Sequence, residues 1–156
     1  MSYYNFRKAM ELAQECRFYT TAGGKTRSEI EQAEKMLNLV FSRQCKEFYL
    51  RYGYLSFYGN EIFGINPNDD SGLIEGNSVA YALNDRKKYN LPKEWLPIYN
   101  FNDGSMAYLD YTSLNAEREP KVIMAYYNGE KYEIIETLAE DFGDFVLQLV
   151  QEQIEK

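Results

Sequence analysis

Two dipeptides constrain the fold of this chain more than any other feature. Asp103-Gly104 lies between WLPIYNF (95–101) and SMAYLDY (105–111), and Asn128-Gly129 lies between VIMAYY (122–127) and KYEIIE (131–136). Asn-Gly and Asp-Gly supply the positive φ angles of tight hairpins, and the flanking runs have the β-branched and aromatic content of strands. A third pair of runs, LSFY (55–58) and EIFGI (61–65), flanks Gly59-Asn60 in the same manner. Three hairpins in a row predict an antiparallel-rich meander of about six strands.

Helical periodicity occupies the rest of the chain. Phe6, Met10, Ala13 and Cys16 recur at three and four residues, predicting a helix from about Tyr3 to Arg17 that TTAGG (20–24) breaks. Thr26 and Glu29 form a capping box that opens a second helix with Ile30, Ala33 and Leu37 on its buried stripe. Ser42 caps a third, carrying Cys45, Phe48, Tyr49 and Tyr52 and stopping at Gly53. A weakly periodic helix runs from about Ser78 to Tyr89, ended by Leu91-Pro92. A last one opens at Thr137, boxed by Glu140, and carries Leu138, Phe142, Phe145 and Leu149 down one face. The expected fold is therefore a single α+β domain over residues 1–156, a meander packed with N-terminal helices and a C-terminal helix.

Chain chemistry narrows function by exclusion. There is no histidine, which removes Ser-His and Cys-His catalysis and histidine-based zinc sites. No phosphate-binding glycine loop occurs. The run NDDSG (68–72) superficially suits a calcium loop, but counting from Asp69 the twelfth position, which must be a bidentate acid, is Ala80. It reads as a solvated turn. Paired carboxylates remain the only usable acid-base groups, and Asp103 and Asp110 stand at opposite ends of one strand, roughly 20 Å apart at about 3.3 Å per residue. No catalytic residue, metal or cofactor is expected. Asp103 reads as a turn residue in a left-handed conformation, and Asp110 as an acceptor for backbone amides just after it. The cysteines, Cys16 and Cys45, share no motif and read as reduced, buried thiols. The chain has no apolar run of about 18 residues and no signal-peptide core near its start, which predicts a cytoplasmic protein without membrane contact.

Net charge is −7, unevenly placed. Residues 1–51 hold nine Lys or Arg against six acids, and residues 52–156 hold eight against eighteen, so the halves carry +3 and −10. No basic residue lies between Arg51 and Arg86, and none between Tyr132 and Glu155. Such a surface repels nucleic acid and steers a basic protein toward it, unless these charges serve only to solubilise a solvated face. Tyr52, Tyr54, Phe57, Tyr58 and Phe63 interleave with the first acidic stretch; most of them suit a core, and any left exposed would suit protein contact.

The order of these elements resembles the SUKH superfamily, the cell-wall-regulator and bacterial immunity-protein group. The resemblance rests on Ile30, Glu31 and Glu34, then KEFYLRYG (46–53), EIFGIN (61–66), WLPIYNFNDGSMAYLD (95–110), PKVIMAYYNGE (120–130) and ETLAEDFGDFVLQL (136–149). It covers about residues 26–150. The chain departs from the pattern at Val40-Phe41-Ser42, where members carry Leu-Pro before the third helix; Ser42 can start that helix by capping. The resemblance implies a non-enzymatic protein that binds and neutralises a cognate toxin, often a nuclease with a basic substrate groove. Charge distribution places the expected contacts at Tyr58, Glu61, Asp69, Asp70, Glu75 and Asp103. The rival expectation is a scaffold or regulator of cell-wall or signalling proteins, a role other members take; a carboxylate enzyme stands third. Oligomeric state is not legible.

Overall fold

The computed structural model describes residues 2–69 and 76–155. In chain order the elements are α1 (Ser2–Ala13), β1 (Thr20–Thr21), α2 (Arg27–Leu37), α3 (Arg43–Arg51), β2 (Leu55–Phe57), β3 (Asn60–Ile62), α4 (Ser78–Tyr89), β4 (Trp95–Asn100), β5 (Ser105–Leu114), β6 (Pro120–Tyr127), β7 (Tyr132–Ala139) and α5 (Phe142–Ile154). The strands form two antiparallel sheets, β1-β2-β3 and β4-β5-β6-β7. This is the expected α+β domain, with the meander divided in two and one strand added. Phe63 N–H donates to Ile98 O at 2.9 Å, joining the end of the small sheet to the side of the large one.

Apolar residues of every helix and both sheets share one core, from Phe6, Met10, Leu37 and Phe48 to Leu96, Leu109, Ile123, Phe142 and Val146. α1 and α5 cross so closely that a Cβ on Gly143 would stand 2.7 Å from the Phe6 backbone, which restricts position 143 to glycine. Both cysteines are free and buried. Burial pushes the Cys45 thiol up to about 12.

Local signals explain most boundaries. In α2, Glu29 N–H donates to Thr26 Oγ1 at 3.1 Å while Thr26 N–H donates to Glu29 Oε1 at 2.9 Å, the expected reciprocal cap. Ser42 Oγ accepts from Cys45 N–H at the start of α3. At the turn before it, Phe41 N–H donates to Glu34 Oε2 at 2.7 Å, a bond that a proline at 41 could not make.

Several expectations are corrected. α1 ends at Ala13, not Arg17, because the chain tightens into short-range turns, Glu15 N–H to Leu12 O and Cys16 N–H to Ala13 O. It thereby delivers Thr20 and Thr21 alongside Ser56 and Leu55, so TTAGG is a short strand as well as a break. The last helix does not open at Thr137. Thr137 pairs with Ile123 in β7, and Asp141 caps α5 by accepting from Asp144 N–H at 2.9 Å. The hairpin turn at Gly59-Asn60 is displaced by one residue. Phe57 pairs with Asn60, and the positive φ angles fall on Tyr58 (50°) and Gly59 (80°). Burying Leu55, Phe57 and Ile62 on one face sets that register and leaves Tyr58 in the turn.

Candidate protein-binding face

Glycine packing assembles one end of the molecule. A Cβ on Gly64 would lie 1.6 Å from Gly53 O, so the end of the segment after α3 and the segment after β3 touch backbone to backbone. These are the glycines of KEFYLRYG and EIFGIN, which gives the two motifs a shared physical reason. From there Gly64 N–H donates to Gly76 O and Ser78 N–H to Gly64 O, anchoring the start of α4. Asn77 closes the base of the loop between β3 and α4: its Oδ1 accepts from Asn66 N–H at 3.2 Å and its Nδ2 donates to Asn66 O at 3.1 Å.

Four of the six sequence-derived contact residues lie in the described residues at this end. Glu61 is exposed on β3 and accepts a 2.7 Å bond from Tyr54 Oη. Burial, and then that bond, push the Tyr54 phenol up to about 12, so it remains a neutral donor. Glu61 and Asp69 share a shallow hollow with Tyr54 and Lys25. Lys25 was not expected there: sequence distance hid a cation that the fold brings into the acidic stretch. A second hollow, of about 270 Å³, joins Glu61 and Asn60 to Phe63, Tyr81, Tyr99 and Asn102. Tyr99 Oη donates to Asn60 Oδ1 at 2.8 Å and ties the β4–β5 hairpin to β3, so the turn carrying Asp103 borders the same hollow. Asp70 and Glu75 lie outside the described residues.

Asp103 is exposed, but the left-handed residues of its turn are Asn102 (φ 62°) and Gly104 (φ 97°). Asp103 acts through its side chain instead. Its Oδ1 accepts from the Ser105 hydroxyl at 2.5 Å and from Ser105 N–H at 2.9 Å, and these bonds hold the carboxyl below the usual carboxylate range. Asp110 accepts from Thr112 N–H at 3.0 Å, as expected, although Thr112 is still within β5 rather than in a turn.

Of the five aromatic residues near the first hairpin, Phe57 and Phe63 are buried, Tyr52 and Tyr54 are half-buried, and Tyr58 is 38% exposed. Sequence reasoning missed Phe18. It has φ 60° and is 78% exposed. Tyr58 N–H donates to Arg17 O at 2.8 Å, so the backbone just before β1 meets the turn after β2, and Phe18 directly follows the residue that Tyr58 bonds. Two exposed aromatic residues in left-handed backbone therefore occur where these two backbone segments meet, each at a cost of roughly 1–2 kcal/mol. No local pattern signals Phe18, since a phenylalanine beyond an amphipathic helix reads as core. Among the described residues no group of three or more acids or cysteines is placed to hold a metal ion, and no helix is long and apolar enough to cross a membrane.

A four-stranded antiparallel sheet packed on crossing helices, with a glycine-locked hairpin forming a polar, aromatic rim, defines a small α+β domain of SUKH type. The chain belongs to the SMI1-KNR4 cell-wall family: the family model SUKH_6 matches residues 27–146. The matched span contains the Gly53–Gly64 lock, Glu61 and Asp103, and leaves Phe18 and α1 outside it. No curated protein matches the chain.

Proposed function

We propose that this chain is an immunity protein, acting without catalysis in the cytoplasm, that binds a cognate toxin through the rim around Tyr58. The toxin is a nuclease domain with a basic substrate groove. The observation that carries this reading is the pair Phe18 and Tyr58, strained and exposed beside Glu61. The two-residue turn requires left-handed backbone at Tyr58, yet an Asn or Gly would meet that need at lower cost; the turn instead holds an aromatic ring out in solvent, and strained conformations of this kind concentrate where a surface is shaped for a ligand. Tyrosine and phenylalanine supply contact area with little side-chain entropy to lose, while Glu61, Asp69 and Asp103, with Asp70 and Glu75 from the sequence, supply the field that draws a basic groove in. The toxin's catalytic surface is then covered where it would meet nucleic acid.

A second reading, a scaffold or regulator of cell-wall proteins, is favoured by the cell-wall description of the family. Growth of cells expressing the toxin domain encoded beside this gene, with and without this protein, separates the two. Rescue, with binding that weakens as salt rises and an association rate that falls when Asp69 and Asp70 are reversed to Lys, supports the immunity reading. Absence of both rescue and binding overturns it in favour of the scaffold.

A further inference from the structure

The far edge of the large sheet presents a different surface. β7 is its terminal strand, paired with β6 on one side only. Its residues 134–137 are all exposed, so in this stretch both faces of the strand and its outer edge are open among the described residues. Register explains why. Ile123, Met124 and Ala125 on β6 pair with Thr137, Glu136 and Ile134, which leaves Ile135 as an extra residue in a bulge. A regular strand would turn one of two successive isoleucines toward the core. Here Ile134 and Ile135 are 54% and 49% exposed, on a strand whose one buried residue is Ala139 at its C-terminal end.

Charge decides what such an edge accepts. Glu133 and Glu136 flank the isoleucines, and no basic residue follows Lys131 until the chain's last position, Lys156. Tyr126 Oη donates to Glu133 Oε2 at 2.6 Å, which fixes that carboxylate beside the strand. A second copy of the chain is a poor occupant. Antiparallel self-pairing centred on the isoleucines sets Glu133 of each copy opposite Glu136 of the other, and like charges directly opposed destabilise a ladder. The same two glutamates favour a strand with Lys or Arg at those places. The edge is thus guarded against itself and open to the opposite charge.

We propose that β7 is a second docking edge, completed by an extended segment of a partner protein in which basic residues flank an apolar pair. The segment adds a strand by main-chain hydrogen bonds, covers Ile134 and Ile135, and pairs its bases with Glu133 and Glu136. This surface is distinct from the Tyr58 rim and does not depend on it.

The test uses the full chain, isotopically labelled, and a synthetic peptide of about ten residues in which Lys and Val alternate around a central Val-Ile. The control is the same peptide N-methylated at every amide, which removes the main-chain donors along both of its edges. The expected result is slowed hydrogen exchange confined to the β6–β7 region, affinity that falls with salt, and a loss of about tenfold or more in affinity both for the methylated peptide and for the Ile134→Lys, Ile135→Lys variant. Both substituted positions are exposed, so folding of the variant is verified by an unchanged melting temperature. Equal binding of the methylated peptide, perturbation elsewhere on the surface, or concentration-dependent self-association through β7 would each overturn the proposal.

Discussion

Two regions of this domain use polar and strained residues for opposite ends. At the junction where α3 and α5 begin, Gln44, Glu119 and Asp141 are buried and their bonds are directed at one another and at helix ends. Gln44 N–H donates to Glu119 Oε2 at 3.3 Å, and Gly143 N–H donates to Gln44 Oε1 at 2.8 Å, so residues far apart in sequence satisfy the first amides of two helices. At the hairpin rim, Phe18 and Tyr58 are strained and exposed, and Glu61 makes one bond to a tyrosine. The junction holds the fold together. The rim contributes little to it, so the two should separate cleanly under mutation.

The glycine lock beneath the rim gives the largest expected effect. Gly64→Ala forces a methyl into Gly53 O, and a loss of about 4 kcal/mol or more in denaturant unfolding is expected, with the rim lost as well. A small loss would mean that the rim does not rest on a rigid base. Gln44→Ala comes next, at about 2–3 kcal/mol by the same measurement, because it leaves the Gly143 amide buried without its acceptor.

The third prediction concerns pH. Burial raises the Glu119 carboxyl above its usual value of 4.5, with the nearby Asp141 charge adding to the shift. The folded state then holds this proton more tightly than the unfolded one, so the contribution is present at low pH and lost as pH rises past about 4.5. Glu119→Gln keeps an acceptor for Gln44 N–H and should flatten the fall of stability above that pH; a profile matching the parent would remove Glu119 from the account.

The smallest change in stability is expected at the rim. Asn tolerates left-handed backbone, so Tyr58→Asn should leave stability within about 1 kcal/mol while weakening partner binding by about 1–2 kcal/mol in a titration. Stability loss comparable to that of Gln44→Ala would erase the contrast between the two regions.

Legibility in the sequence follows the same division. The capping box of Thr26 and Glu29 and the Asn128-Gly129 hairpin were readable because a few adjacent residues determine them. Even so, the second loop spans four residues between Tyr127 and Tyr132, with Asn128 Oδ1 accepting from the Glu130 and Lys131 amides. Thr137 carried the same capping pattern as Thr26, but its cross-strand pairing with Ile123 prevailed over the local signal. β1 is two residues long and exists only because β2 lies beside it. At the candidate face, charge pattern selected Glu61 and Asp69, and the fold sets both on one hollow. The arrival of Lys25 beside them, and of Phe18 near Tyr58, depends on tertiary pairing that no local window contains.

The buried thiols described with the core give this chain an internal clock. Alkylating reagents attack thiolate, and Cys45 is shut away from solvent with its ionisation pushed up to about 12. Its labelling rate at neutral pH therefore counts openings of the domain centre. Cys16, just beyond α1, is buried nearer the surface, and its labelling counts departures of that helix end. A slow tick at one sulfur and a faster one at the other would time how this domain comes apart, with no added probe.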